Sequence, residues 1–186
     1  HVLFRRQRQM CIRDREEIMN TVTFLGDKIA LAGDFPQKGE VLTTPSMTTV
    51  SLAPLTISDK TAEFKLIYLF PSVDTPVCSS STKAISELSE LKSDSVDIYT
   101  VSTDLPFALA RFQEKEAVTG VEQLSVFKNP ELLKAFGTQF EEHALSGLSA
   151  RAIILLDANN VVVHSELVAE VTEEPNYSAI IEALKA

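Results

Sequence analysis

The sequence predicts an α/β fold: a mixed central sheet with helices on both faces and a β-hairpin at its N-terminal end. Three observations carry that expectation. The short apolar runs Leu66-Ile67-Tyr68-Leu69-Phe70 and Val96–Thr103 flank a helical pattern, Ala84, Ile85, Leu88 and Leu91, and strand–helix–strand order gives a βαβ unit. Later, Ala152–Leu156 and Val161–Ser165 sit either side of Asp157-Ala158-Asn159-Asn160, which adds antiparallel strands. At the start, Thr21–Leu25 and Lys28–Ala32 flank Gly26-Asp27, a two-residue turn with glycine first.

The chain has 186 residues, 45% of them hydrophobic, enough for one domain with a substantial core. No apolar run approaches the ~18 residues of a membrane-spanning helix, so a membrane partner is not expected. The formal net charge of −9 repels phosphate backbones and makes nucleic acid a poor partner. Two cysteines, Cys11 and Cys78, are too few for a disulfide framework and point to a reducing compartment. His1, His143 and His164 have no metal-ligand spacing, and there is no P-loop, G-x-G-x-x-G or H-E-x-x-H, so neither metal nor cofactor is expected.

Taken in order, residues 1–18 stand apart. They carry five arginines against three acids, but no apolar segment and no small-residue cleavage site. We read them as a non-native or disordered leader containing Cys11, with a single domain over 19–186 and a natural start at Met19. After the hairpin, residues 33–48 hold Gly33, Pro36, Gly39 and Pro45 and read as an extended loop. Val50–Ser58 is interrupted by Pro54, so a strand there is short or at an edge. Leu105–Ala117 reads as a helix with Asp104 as its cap. Ser125-Val126-Phe127 is a short strand, and Pro130–Phe136 a helix stopped by Gly137. Asn176–Ala186 closes the chain as a helix.

The stretch that carries chemistry is Pro71-Ser72-Val73-Asp74-Thr75-Pro76-Val77-Cys78, at the handover from strand to helix. Thr75-Pro76 is a helix start, threonine as N-cap and proline at the first helical position. Cys78 then falls in the first turn, among unpaired backbone N–H groups at the positive end of the helix dipole, a setting that favours a thiolate. A lone cysteine in an apolar chain is otherwise most often a buried structural thiol.

Pro71, Thr75 and Cys78 form a P-x-x-x-T-x-x-C pattern that resembles the peroxiredoxin signature. Asp104-Leu105-Pro106-Phe107-Ala108 with Arg111-Phe112, and Gly147-Leu148-Ser149-Ala150-Arg151-Ala152, resemble the bacterial thiol peroxidase subfamily. The resemblance runs from about Thr21 to the C-terminus. It implies a thioredoxin-like fold, and a thiol-dependent peroxidase acting on hydrogen peroxide or organic hydroperoxides. It implies that Cys78 is the peroxidatic nucleophile, that Thr75 and Arg151 activate it, and that Pro71 shields the sulfur from water. It also implies a homodimer in the bacterial cytoplasm. The family commonly carries a resolving cysteine just after Arg-Phe; here Gln113 follows Arg111-Phe112. The expected cycle therefore uses one cysteine, recycled by an external thiol such as thioredoxin, glutaredoxin or a small thiol. The alternative on the same residues is a peroxide sensor or redox relay that passes oxidation to a client thiol.

Magnitudes say that an ionised sulfur is not enough. A cysteine of pKa ~8.5 is about 3% thiolate at pH 7 and one of ~6 about 90%, roughly a 30-fold gain. Nucleophilicity falls along a Brønsted slope of ~0.45, which takes back about 13-fold. The net is about twofold. Fast peroxide reduction therefore needs groups that orient the peroxide and stabilise charge on the leaving oxygen. Thr75 and Arg151 are the candidates, the latter held just before the apolar strand Ala152–Leu156.

Overall fold

Ten strands and three α-helices make up the computed structural model, which describes residues 20–88 and 95–185. In chain order they are β1 (Thr21–Phe24), β2 (Asp27–Ala32), β3 (Ser46–Thr49), β4 (Pro54–Thr56), β5 (Phe64–Leu69), α1 (Pro76–Glu87), β6 (Val96–Ser102), α2 (Pro106–Lys115), β7 (Val121–Ser125), β8 (Gln139–Phe140), β9 (Ala152–Asp157), β10 (Val162–Leu167) and α3 (Tyr177–Leu184). The leader with Cys11, Met19 and Leu91 lies outside the described residues.

A seven-stranded sheet runs in the order β10-β9-β5-β6-β7-β3-β4. β5, β6 and β7 pair in parallel through the α1 and α2 crossovers, while β9 pairs antiparallel with β5 and β10 with β9. This is the mixed sheet of the thioredoxin-like class that the sequence predicts. Side chains alternate across it with period two. Leu66, Tyr68 and Phe70 face a cluster with Cys78 and Ile85 of α1, Leu109 and Phe112 of α2 and Ile180 of α3. Ile67 and Leu69 face the opposite cluster with Phe35, Met47, Ile57, Leu133 and Phe136. Each fully buried Leu, Ile or Phe contributes roughly 1.5–3 kcal/mol, and β5 is buried throughout from Lys65 to Leu69. It is the axis of the fold because both clusters depend on it.

The two faces are covered differently. All three α-helices pack on the Tyr68 face, whereas the Ile67 face is covered by 3-10 turns at Ile57–Asp59 and Pro130–Phe136. The helix predicted over 130–136 is a 3-10 helix, ended by Gly137 at φ +64° as expected. Any Cβ on Gly137 would fall 2.3 Å from the Phe35 backbone nitrogen.

The N-terminal hairpin differs by one residue from its prediction. Phe24 pairs with Asp27, so the turn is Leu25-Gly26, both at positive φ, and Asp27 already belongs to the strand. That is the mirror-image turn whose twist suits a hairpin. The hairpin extends into a separate three-stranded sheet, β1-β2-β8. The β3–β4 hairpin forms the sheet edge, with Pro54 opening β4, where a missing N–H is tolerated. β3 begins inside the predicted loop over 33–48, and β7 runs over Val121–Ser125, sharing only Ser125 with the short strand expected at 125–127. At the C-terminus, Asn176 caps α3 by accepting a hydrogen bond from the Ala179 N–H at 3.2 Å.

Candidate active site

β5 delivers the chain to its C-terminal end at Leu69-Phe70, both fully buried, and Pro71, also buried, starts the loop that leads into α1. The loop folds on itself. The Thr75 N–H and Thr75 Oγ1 both donate to the Ser72 carbonyl, at 3.2 and 3.1 Å. Thr75 does occupy the N-cap position with extended backbone, followed by Pro76. Its side chain makes no capping bond, contrary to the simplest sequence reading; its hydroxyl closes the loop instead.

Asp104 corrects a second expectation. It does not cap α2, whose N-cap is Leu105 without a side-chain bond. Its carboxylate accepts from Ser72 Oγ at 2.7 Å, the Val73 N–H at 2.9 Å and Ser102 Oγ at 2.8 Å. Ser125 Oγ donates to its carbonyl. The end of β6 is thereby clamped to the loop before Cys78, and two distant sequence motifs meet. Bonds to a charged acceptor contribute about 1.5–3 kcal/mol each.

Cys78 lies in the first turn of α1 and is 0% exposed. It is the free cysteine among the described residues. Arg151, one residue before β9, reaches it: Arg151 Nη2 donates to Cys78 Sγ at 3.4 Å. The same Nη2 donates to the Val171 carbonyl at 3.1 Å, and Nη1 donates to the Tyr68 hydroxyl. Arg151 is 1% exposed, and among the described residues no carboxylate pairs with it. A buried cation without an anion is costly by several kcal/mol; here the Tyr68 hydroxyl, the Val171 carbonyl and Cys78 Sγ are the atoms that receive its N–H groups. Burial works against the Arg151 charge, but Tyr68 and Cys78 beside it outweigh burial, and its pKa stands above the ordinary value. Burial pushes the Tyr68 phenol well up, against the pull of Arg151, so Tyr68 is a neutral donor and acceptor. Tyr177, on α3, is likewise pushed up to about 12, first by burial, and donates to Glu174 at 2.9 Å.

The fold thus brings Cys78 and Arg151 into contact across 73 residues of chain, while Pro71 and Thr75 lie in the loop that leads into α1, with no hydrogen bond from Thr75 to the sulfur or the guanidinium. A cleft of about 260 Å³ opens beside the first turn, between Val73–Pro76 and Ser79 on one side and Arg111, Phe112 and Lys115 on the other. Gln113 is half-buried on α2. Two members of the site, Tyr68 and Val171, are not among the site residues expected from the sequence. Tyr68 carried a signal, a phenol inside a hydrocarbon strand, since a buried tyrosine hydroxyl needs a partner. Val171 contributes only a carbonyl and carried none. Asp104 was singled out, but for another role. Among the described residues no cluster of three or more His, Cys, Asp or Glu could hold a metal.

Known proteins resemble this chain in sequence and in fold. A family model described as Redoxin matches residues 34–181. A thiol peroxidase of Vibrio cholerae is 40% identical over 164 residues, covering 88% of this chain and 99% of that protein. Among solved structures, a peroxiredoxin-like protein from Aquifex aeolicus superposes with a TM-score of 0.84 at 33% identity, over 90% of this chain and 97% of that one. A thiol peroxidase from Chromobacterium violaceum shares the fold, with a TM-score of 0.78 at 24% identity over 89% and 95% of the two chains.

Proposed function

The chain belongs to the redoxin family, among the thiol peroxidases of the peroxiredoxin group, and is a thiol-dependent hydroperoxide reductase; from that premise we propose that Cys78 is its peroxidatic cysteine, activated by Arg151 and Thr75 and shielded by Pro71. The observation that carries this reading is the 3.4 Å contact from Arg151 Nη2 to Cys78 Sγ in a buried site.

The thiolate attacks the terminal oxygen of R–O–O–H. The S–O bond forms as the O–O bond breaks, sulfur is oxidised by two electrons to the sulfenic acid, and the leaving RO⁻ takes a proton from solvent. Negative charge moves from sulfur to the departing oxygen, and a guanidinium fork beside the sulfur can follow it. Thr75 holds the loop closed, and its hydroxyl oxygen keeps acceptor capacity for the peroxide O–H. Pro71 has no backbone N–H to draw water toward the sulfur.

Cys78 is the free cysteine of the described residues and Gln113 stands where a resolving cysteine would be, so the cycle closes with an external thiol. That thiol condenses with the sulfenic acid, releasing water and forming a mixed disulfide, and a second thiol frees Cys78. Thioredoxin, glutaredoxin or a small thiol would serve, approaching through the cleft beside α1. Because Cys78 is fully buried, a protein thiol needs the first helical turn to open. We place the enzyme in the cytoplasm, where its two cysteines in 186 residues suit a reducing compartment. Leu105 and Phe107, exposed by 52% and 68% at the start of α2, support a homodimer. We also assign the domain to residues 19–186, apart from the leader.

The test is turnover. With excess dithiol reductant the protein should consume many equivalents of hydroperoxide, and Cys78→Ser should abolish consumption. Activity retained in Cys78→Ser removes the proposal. A single turnover followed by a stable mixed disulfide with a protein thiol would favour the relay reading.

A further inference from the structure

We propose that Tyr68 is a positioning residue for peroxide reduction: its hydroxyl holds one arm of the Arg151 guanidinium so that the other arm is delivered to the Cys78 sulfur. The inference rests on the reading of Cys78 and Arg151 given above.

A guanidinium is a rigid planar fork on a long, flexible stem. One hydrogen bond leaves such a fork free to pivot about that bond. Two bonds on different nitrogens fix its plane. Here the two anchors are the Tyr68 hydroxyl on Nη1 and the Val171 carbonyl on Nη2. The second hydrogen of Nη2 then points at Cys78 Sγ, 3.4 Å away. Nε is buried and has no hydrogen-bond partner, so it adds no third anchor. Without Tyr68 the guanidinium would be tethered at a single backbone carbonyl, on the same nitrogen that serves the sulfur.

The Tyr68 anchor is itself immobile. Its residue pairs with Thr100 of β6 on one side and Ile153 of β9 on the other. Its ring packs on Phe70 with centroids 5.0 Å apart and planes tilted by 37°, and none of the side chain is exposed. The other groups around the phenol are Cys78 and Ser81 of α1. Ser81 lies close enough to act on both Tyr68 and Tyr177, yet its buried hydroxyl makes no bond of ordinary geometry, so it does not compete for Arg151. If Tyr68 served only to fill the core, phenylalanine would fill it equally well. The additional oxygen has one well-defined partner, and that partner is the cation at the reacting sulfur.

Tyr68→Phe, made in the full chain, removes that oxygen and keeps the ring. We expect Cys78 oxidation by hydroperoxide, followed by stopped flow on the high-pH plateau where the thiol is fully ionised, to slow about 10- to 100-fold, the range for loss of one charge-assisted hydrogen bond. The Arg151→Met background separates positioning from packing. There Tyr68→Phe should slow the reaction less than about twofold, because its target is gone. A crystal structure of Tyr68→Phe should show Nη2 moved off the sulfur. The inference is overturned if Tyr68→Phe reacts within twofold of wild type, if its loss is equal on both backgrounds, or if Arg151 keeps its place in the variant crystal. If Arg151→Met reacts at the wild-type rate, the assignment of the site falls together with this inference; if Arg151→Met is slow and Tyr68→Phe is not, only the inference falls.

Discussion

Replacing Arg151 with methionine removes the buried cation and keeps much of its volume. The separation of 3.4 Å between Nη2 and Sγ sets the scale. Two unit charges at that distance, with an effective dielectric of ~20, interact by about 5 kcal/mol. That figure is gross, since only interactions stronger in the transition state than in the ground state speed the reaction. Charge leaves sulfur for the departing oxygen, so part of the interaction is already present with the thiolate. Loss of one preorganised donor in comparable sites slows reactions about 100- to 1,000-fold, or roughly 2.7–4 kcal/mol. We expect Arg151→Met to lower the second-order rate constant for hydroperoxide by that factor on the high-pH plateau. Arg151→Lys should recover less than about tenfold, because one ammonium cannot span Tyr68, Val171 and Cys78 as the fork does. Stability must be followed alongside. The variant leaves a phenol and a carbonyl without their donor, at about 1–3 kcal/mol each, offset by removal of a buried cation. Stopped-flow oxidation together with thermal melts checks both. A folded Arg151→Met reacting within threefold of wild type would refute the electrostatic reasoning.

Asp104→Ala should slow peroxide reduction by about tenfold without any contact to the sulfur, because the two bonds that hold the loop before Cys78, from Ser72 Oγ and the Val73 N–H, are lost together; steady-state kcat/KM checks it. Gly137→Ala should destabilise the fold by at least about 2 kcal/mol, from left-handed strain and the Cβ contact with Phe35, as read by urea unfolding. Glu170 ties the hairpin to the end of the domain, accepting from Thr23 Oγ1, Thr172 and the Leu25 N–H, and these bonds, Thr23 first, hold its pKa at about 2, below the ordinary 4.5. A folded value below the unfolded one stabilises at high pH. The contribution is complete above about 4.5 and is lost as pH falls toward and through 2. The melting-temperature difference between wild type and Glu170→Gln should therefore be constant above pH 5 and close on acidification; a difference that widens in acid would reverse the sign.

Local signals carried the elements; meetings between distant segments were out of their reach. Leu66–Phe70 announced a buried strand by composition, and Thr75-Pro76 announced a helix start by stereochemistry, because both depend on neighbours in the chain. The hairpin turn slipped by one residue because Leu25 accepts a positive φ that sequence rules reserve for Gly, Asn or Asp. β8 is two residues long, Gln139–Phe140, and exists because β2 offers an edge, so no pattern could mark it. The same holds at the site. Cys78 was legible from its place at a helix start, whereas Arg151 alone reads as a strand-end charge. Only the fold carries it 73 positions back to the sulfur. Asp104 was legible as a polar residue before a helix, but its partners Ser72 and Val73 lie more than 30 positions away, beyond any capping rule.

Peroxide reduction at this site stands or falls with transfer of the peroxide oxygen to Cys78 Sγ. Intact-protein mass spectrometry after one equivalent of hydroperoxide, with a sulfenic-acid trap and on a form beginning at Met19, tests it most directly, since Cys78 is then the sole thiol. One rapid adduct, mapped to Cys78 and strongly slowed in Arg151→Met, is expected. No adduct, or one forming as slowly as on a free cysteine in solution, would contradict it.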